Sequence, residues 1–180
     1  MDWLPAALVV ALADEARALR TAGAFRAAGV GVDRQRAPAV RGDEILWLDA
    51  AAASAVQRAT LDRFEALRRT LNRHLLLGLF ELEALFAAYP PGATYRTHVD
   101  RFRDDASRLL SFVLYLNRDW RSADGGALRL YLAAADRAPF VDVVPLGGTL
   151  VAFLSDRFPH EVLPARRERL SLAGWCCRRR

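Results

Sequence analysis

The amino-acid sequence predicts a mainly β protein with supporting helices: a double-stranded β-helix, or jelly roll, packed on N-terminal α-helices. Up to about residue 88 apolar side chains recur at helical spacing, and beyond Gly92 the period changes to alternation. Turn residues then recur at short intervals, as in an all-β unit of several short strands. The stretch 109–117 is apolar on both faces and needs cover on both. One face can line a small barrel while the other receives the helices.

Residues 4–22 put Leu8, Val9, Leu12, Ala16 and Leu19 on one stripe, with Asp14, Glu15, Arg17 and Arg20 largely off it, which predicts an amphipathic helix. Residues 29–40 mix glycine, proline and charge without a helical period and predict an exposed loop or ribbon. Arg41-Gly42-Asp43-Glu44 then turns into a short apolar strand at 45–48. From about 54 to 88 the period is helical again, with Leu61, Phe64, Leu67, Leu71, Leu75, Leu79 and Leu82 on a broad apolar face. Ser54 and Asp49 are candidate N-caps, and Tyr89-Pro90-Pro91-Gly92 ends the helix. Strands are predicted at 94–99, 109–117, 127–132, 140–144, 148–154, 159–163 and 168–177, with turns at Asp124-Gly125-Gly126, 145–148 and Pro164-Ala165. In 109–117, Ser111, Val113 and Tyr115 share one face and Leu110, Phe112, Leu114 and Leu116 the other. The last strand puts Arg169, Ser171, Ala173 and Trp175 together, so Arg169 enters the barrel if that face does.

A chain of 180 residues, 53% apolar, can bury one substantial core. A single domain over 1–180 suffices, with helical support and a ribbon at about 29–48 in residues 1–88 and a jelly-roll core in 89–177. All 26 basic side chains are arginine, and the net charge of +5 is spread along the chain apart from Arg166-Arg167 and the terminal Arg178-Arg179-Arg180. That permits a polyanionic partner but marks no nucleic-acid groove. Cys176 and Cys177 are adjacent and would point to opposite faces of a strand, a poor geometry for an intramolecular disulfide, so a reducing, cytoplasmic setting is expected. The apolar run 4–13 is too short to cross a bilayer and no basic region precedes it; neither a signal peptide nor a membrane span is expected.

The chemistry-bearing residues lie in the second half. In His98-Val99-Asp100 a histidine and a carboxylate two residues apart project to the same face of an extended strand. His160, from a distant strand, completes two histidines and one carboxylate. Such a set occupies one face of an octahedron and leaves three positions open, which suits Fe(II) with O2 and an organic co-substrate. Arg169 can hold a carboxylate by two parallel charge-assisted hydrogen bonds, and hence the far end of a dicarboxylic acid whose other end chelates the metal. Each piece alone is weak: His-x-Asp arises by chance, His160 after a proline could sit in a turn, and Arg169 lies in an arginine-rich stretch. Two of only three histidines in this arrangement nevertheless point to a site. The third, His74, lies in a helical pattern and reads as a structural or surface residue.

Further segments accompany these residues: Arg41-Gly42-Asp43 with Trp47, 89–100, Tyr115-Leu116-Asn117-Arg118-Asp119-Trp120, Gly125-Gly126-Ala127-Leu128-Arg129, Ser155-Asp156-Arg157, Pro159-His160-Glu161-Val162 and 169–175. In them the sequence resembles the prolyl hydroxylase-domain branch of the 2-oxoglutarate oxygenases, which includes the oxygen-sensing hydroxylases of hypoxia-inducible factor and their bacterial relatives. The resemblance implies Fe(II) held by His98, Asp100 and His160. It implies 2-oxoglutarate held at its distal carboxylate by Arg169 with help from the Tyr115 hydroxyl, O2 as oxidant and ascorbate as reductant. Tyr89 is implied near the metal-bound end of the co-substrate, Tyr95 and Trp175 near the substrate entrance, and 29–40 as a mobile lid closing over a peptide. The lead-in at 89–95 is one residue shorter than in animal members.

The implied reaction is hydroxylation of a prolyl residue in a protein or peptide, with succinate and CO2 as co-products. Bacterial relatives imply a translation elongation factor as one candidate partner. The carboxylate at Asp100, where related halogenases carry a small residue, implies hydroxylation. One alternative is oxidation of a small molecule or free amino acid, which predicts a narrow pocket and a short, immobile 29–40 segment. Another is oxidative demethylation of nucleic acid, which needs a basic groove with aromatic platforms that the sequence does not place beside the metal. A third is a non-catalytic jelly-roll binding module, against which the intact His98, Asp100, His160 and Arg169 argue.

Overall fold

The computed structural model describes residues 3–29, 35–101, 107–133 and 139–179. Helix α1 (Ala6–Thr21) buries Val9, Leu12, Ala13 and Ala16, and Leu8 and Leu19 of the predicted stripe pack, half-buried, against the same core. Gly23 ends it at φ 79°, a conformation that lets the amides of Gly23 and Ala24 return to the carbonyls of Arg20 and Leu19. Strands β1 (Arg26–Ala27) and β2 (Glu44–Trp47) pair antiparallel. Of the ribbon at 29–40, residues 30–34 lie outside the described residues, and the expectation of a lid lies there with them.

Helix α2 (Ala55–Leu75) starts where Ser54 accepts the Gln57 amide, as the N-cap pattern predicts. Asp49 is no helix cap; it accepts the Ala51 amide at 2.8 Å and closes a turn. The helical period expected to run to 88 stops at Leu75, and Glu81–Tyr89 is a nine-residue strand, β3. Leu76 at φ 52° and Gly78 at φ 66° break the helix. The Asn72 side chain then exchanges hydrogen bonds of 2.7 and 2.8 Å with the Leu79 backbone, and Arg68 also donates to the Leu79 carbonyl. Residues 81–89 are good helix formers locally, but pairing on both edges with β2 and the last strand overrides that propensity. The boundary between helical support and jelly roll therefore does not fall at 88: three strands before it belong to the sheet.

The remaining strands follow the alternation: β4 (Tyr95–His98), β5 (Arg108–Tyr115), β6 (Leu128–Tyr131), β7 (Phe140–Val143), β8 (Leu150–Leu154), β9 (His160–Val162) and β10 (Arg169–Cys177). They form a six-stranded sheet in the order β1-β2-β3-β10-β5-β8 and a four-stranded sheet in the order β4-β9-β6-β7. Both are antiparallel throughout.

Two cores result. Between the helices and the large sheet lie Leu12, Phe64, Phe86, Phe112, Leu114 and Leu172, with Phe64 and Phe112 stacked at 4.1 Å. Burying each such side chain stabilises by about 1.5–3 kcal/mol. The second core faces the small sheet and includes Tyr89, Tyr115, Leu128, Phe153, Val162 and Trp175. The period-2 alternation of β5 and β10 divides them between the two cores: Leu114 and Leu172 go one way, Tyr115 and Trp175 the other. Cys176 and Cys177 likewise face opposite cores, both buried as free thiols. Among the described residues no helix is long and apolar enough to cross a membrane.

Candidate iron and co-substrate site

β4 and β9 pair so that His98 stands directly opposite His160. Asp100 follows β4, and its backbone amide donates to the Ser155 carbonyl at 3.2 Å. The Asp100 carboxylate oxygens lie 3.6 Å from His98 Nε2 and 3.6 Å from His160 Nε2, and all three ligand atoms fall within 4.8 Å of one another. Ligands about 2.1 Å from a shared ion are separated by about 3–4 Å, so this set fits one first-row metal.

Each imidazole is aimed by a carbonyl two residues earlier: His98 Nδ1 lies 2.8 Å from the Arg96 oxygen, and His160 Nδ1 lies 3.0 Å from that of Phe158. An Nδ1–H donated there leaves the Nε2 lone pair for metal. Burial lowers His160 below the ordinary imidazole range, outweighing the pull of Asp100, and so favours the neutral, ligating form. Burial pushes the Asp100 carboxyl up, but the His98 hydrogen bond, the two imidazoles and the Ser111 hydroxyl together hold it well below the usual carboxylate range. It is ionised at neutral pH, as a ligand must be.

Arg169 is 1% exposed. Its Nε donates to the Gly126 carbonyl at 2.9 Å, while Nη2 is buried without a partner. The Tyr115 hydroxyl is likewise buried and unpartnered, and the guanidinium stands 5.1 Å from the ring centres of both Tyr115 and Tyr89. Burial raises both phenols, so each keeps its proton and Tyr115 can donate. A desolvated cation with an idle donor beside an idle hydroxyl is costly alone and is satisfied by a carboxylate. A cavity of about 250 Å³ has the triad, Arg169 and Tyr89 in its wall, with apolar Leu128, Val113 and Val162 lining it as well. The residues present therefore fit both an iron ion and a dicarboxylic acid.

The structure puts Tyr89 opposite Arg169 in the β3–β10 register, against the guanidinium. Tyr95 is stacked on His98 at 3.6 Å and covered by the Arg41 guanidinium at 4.6 Å, while Phe153 stands edge-on to His160 at 4.7 Å. Asp43, buried, holds Arg41 by two bonds of 2.7 and 2.9 Å. Trp175 lines the cavity with the Arg108 guanidinium 3.6 Å above its ring and Trp47 5.9 Å away. His74 is exposed in the last turn of α2, far from the site in the chain and absent from the cavity wall. Sequence reasoning assigned no site role to Ser111, Ser155, Arg108 or the Arg41–Asp43 pair. Ser111 carried a signal in sharing its strand face with Val113 and Tyr115, and Arg41, Asp43 and Ser155 lay in segments that carry the resemblance, with no role attached.

The family model of the 2OG-Fe(II) oxygenase superfamily matches residues 84–177, which include the triad and Arg169. The chain belongs to the 2OG-Fe(II) oxygenase superfamily. A crystal structure of a Pseudomonas putida prolyl-4-hydroxylase is similar at 47% identity and a TM-score of 0.88, covering 99% of this chain and 90% of that one. A Trichoplax adhaerens prolyl hydroxylase, solved with a peptide fragment of the hypoxia inducible factor oxygen degradation domain, is 27% identical with a TM-score of 0.86 over 98% of this chain and 80% of that one. The hypoxia-inducible factor prolyl hydroxylase of Caenorhabditis elegans is 33% identical over 144 residues, 76% of this chain. The matched stretch spans 20% of that worm protein. As a 2OG-Fe(II) oxygenase the chain is a dioxygenase that uses Fe(II), 2-oxoglutarate and O2, and its His98, Asp100 and His160 form the iron site.

Proposed function

We propose that this 2OG-Fe(II) oxygenase hydroxylates a prolyl residue of a protein or peptide. The observation that carries the co-substrate assignment is the idle Arg169 Nη2, on a residue in the wall of the cavity that holds the triad, with the idle Tyr115 hydroxyl behind it. The prolyl assignment is supported by the likeness to the Pseudomonas putida prolyl-4-hydroxylase along nearly the whole chain.

His98, Asp100 and His160 would hold the metal through three ligand atoms and leave further positions to co-substrate and O2. With Nε held by the Gly126 carbonyl, Arg169 would grip the distal carboxylate of 2-oxoglutarate through its Nη1–Nη2 end, and Tyr115 would donate a further hydrogen bond to it. Tyr89 packs on the guanidinium and confines that end, while Leu128, Val113 and Val162 exclude water. When bound, iron and 2-oxoglutarate supply the oxidation, in which O2 is consumed, succinate and CO2 leave, and one oxygen atom is placed on a substrate C–H. A carboxylate at Asp100 occupies the position a halide would need and so favours hydroxylation. Tyr95 and Trp175 flank the approach of the substrate. Ascorbate serves as reductant, the buried free cysteines suit a reducing cytoplasm, and a translation elongation factor is one candidate substrate.

The test is mass spectrometry of proline-containing peptides incubated with protein, Fe(II), 2-oxoglutarate and ascorbate in air, beside peptides with each proline replaced by alanine. A gain of one oxygen atom on proline is expected. Oxidation of a free amino acid in place of any peptide would transfer the assignment to the small-molecule reading.

A further inference from the structure

Ser155, just past β8, grips Asp100 in two ways. Its carbonyl accepts the amides of Asp100 at 3.2 Å and Arg101 at 3.3 Å. Its hydroxyl lies 2.9 Å from that of Ser111 on β5, and the Ser111 hydroxyl donates to Asp100 Oδ2 at 2.6 Å. Ser155 and Ser111 are 0% and 1% exposed. The direction of the chain follows from proton supply. A hydroxyl has one proton, and ionised Asp100 can only accept, so the Ser111 proton is committed to the carboxylate and Ser155 must donate to Ser111. Each bond polarises the next toward the carboxylate.

A carboxylate can place one oxygen or both on a cation. Using both would occupy a position that the three-ligand face has to leave open. The 2.6 Å bond from Ser111 fixes the rotation of the carboxylate and occupies a lone pair of Oδ2. We infer that Ser155 and Ser111 form a hydroxyl relay that positions Asp100 as a one-oxygen iron ligand, Ser111 directly and Ser155 through it. The inference rests on Asp100 being an iron ligand. If the two hydroxyls merely satisfied one another in the core, their removal would leave metal binding unchanged.

The test is Co(II) titration of the full chain, read from the visible absorption of the bound ion, with thermal unfolding of the metal-free protein alongside. Ser111→Ala is expected to weaken Co(II) binding about 10–100-fold, the usual loss when an outer partner of a metal ligand is removed, and to change the band shape. Ser155→Ala should weaken it less, by about threefold or more, and the double variant should bind no worse than Ser111→Ala because the two act in series. Ser111→Thr, which keeps the hydroxyl, should restore the affinity. Ser111→Ala binding within about twofold of the parent with the same spectrum overturns the relay. So do losses that multiply in the double variant, or a threonine variant as weak as the alanine one. Should Ser111→Ala fail to fold, Ser155→Ala decides alone, an unchanged affinity overturning the inference. Asp100→Ala separates the two claims: parental Co(II) affinity there removes the iron-site reading itself.

Discussion

His98 and His160 face one another across the β4–β9 pairing, ring centres 4.3 Å apart, each with its Nδ1 at the carbonyl two residues before it. One antiparallel pair thus delivers two of three ligands with both Nε2 atoms aimed the same way. Replacing either histidine by alanine is expected to weaken metal binding by more than about 100-fold, beyond the range for outer partners. Equilibrium titration with Fe(II) under anaerobic conditions, or with Co(II), measures it.

Arg169 is a buried cation whose unpartnered Nη2 waits for a carboxylate. Arg169→Ala should raise the dissociation constant of 2-oxoglutarate by the equivalent of about 2–5 kcal/mol, and Arg169→Lys should recover little, because a point charge does not reproduce the fork. Arg169→Leu should leave the metal-free protein as stable as the parent, or more so, since an unsatisfied buried charge is removed. Calorimetric titration and thermal unfolding with and without 2-oxoglutarate check both halves.

At Gly174 on β10 an added methyl would lie 2.1 Å from the Glu83 carbonyl oxygen, 2.5 Å from Phe112 Cζ and 3.0 Å from Ala84 Cα. Two of these are backbone atoms of the neighbouring strand and cannot step aside. Gly174→Ala should therefore destabilise by about 1–3 kcal/mol or more, seen as a lower urea midpoint. Gly92, where an added Cβ meets nothing, offers the contrast: its cost is confined to φ 80°.

Glu65 on α2 receives bonds from Arg68 at 2.6 and 2.7 Å and from Arg69 at 3.0 Å. The Arg68 bonds, followed by that of Arg69, hold its carboxyl down at about 2 against an ordinary 4.5. A depressed folded-state value contributes stability that is full above the unfolded value and is lost as pH falls from 4.5 through about 2. The group is partly exposed, so solvent screening limits the two pairs to about 0.5–1 kcal/mol together. Glu65→Gln should be less stable than the parent by that amount at neutral pH, with the difference vanishing near pH 2. Denaturant unfolding across that window measures the convergence.

Much of the jelly roll was legible because its signals are local. Strands β4 to β10 follow from alternation and from turn glycines such as Gly125 and Gly126, and the period groups Arg169 with Ser171, Ala173 and Trp175 on one face, though which face enters the barrel is decided by packing. The β3 strand was not legible. Its run Glu81-Leu82-Glu83-Ala84-Leu85-Phe86 favours helix locally, and only its pairing with β2 and β10 decides against it. The place of Tyr89 against Arg169 likewise comes from a pairing between residues eighty positions apart. The Ser155 grip on Asp100 and the Arg41–Asp43 pair beside Tyr95 likewise depend on chain segments that meet only in the folded protein. Arg41-Gly42-Asp43 stood out as a motif, but nothing in it says that the arginine will cover a tyrosine stacked on a ligand histidine.

The central claim, that His98, Asp100, His160 and Arg169 form a working 2-oxoglutarate oxygenase site, is tested most directly by succinate formation. Purified protein would be assayed with Fe(II), 2-oxoglutarate and ascorbate in air, with and without proline-containing peptides, beside His160→Ala and Arg169→Ala. Succinate release that is stimulated by peptide and lost in both variants is expected. Succinate release that persists undiminished in both variants would contradict the claim.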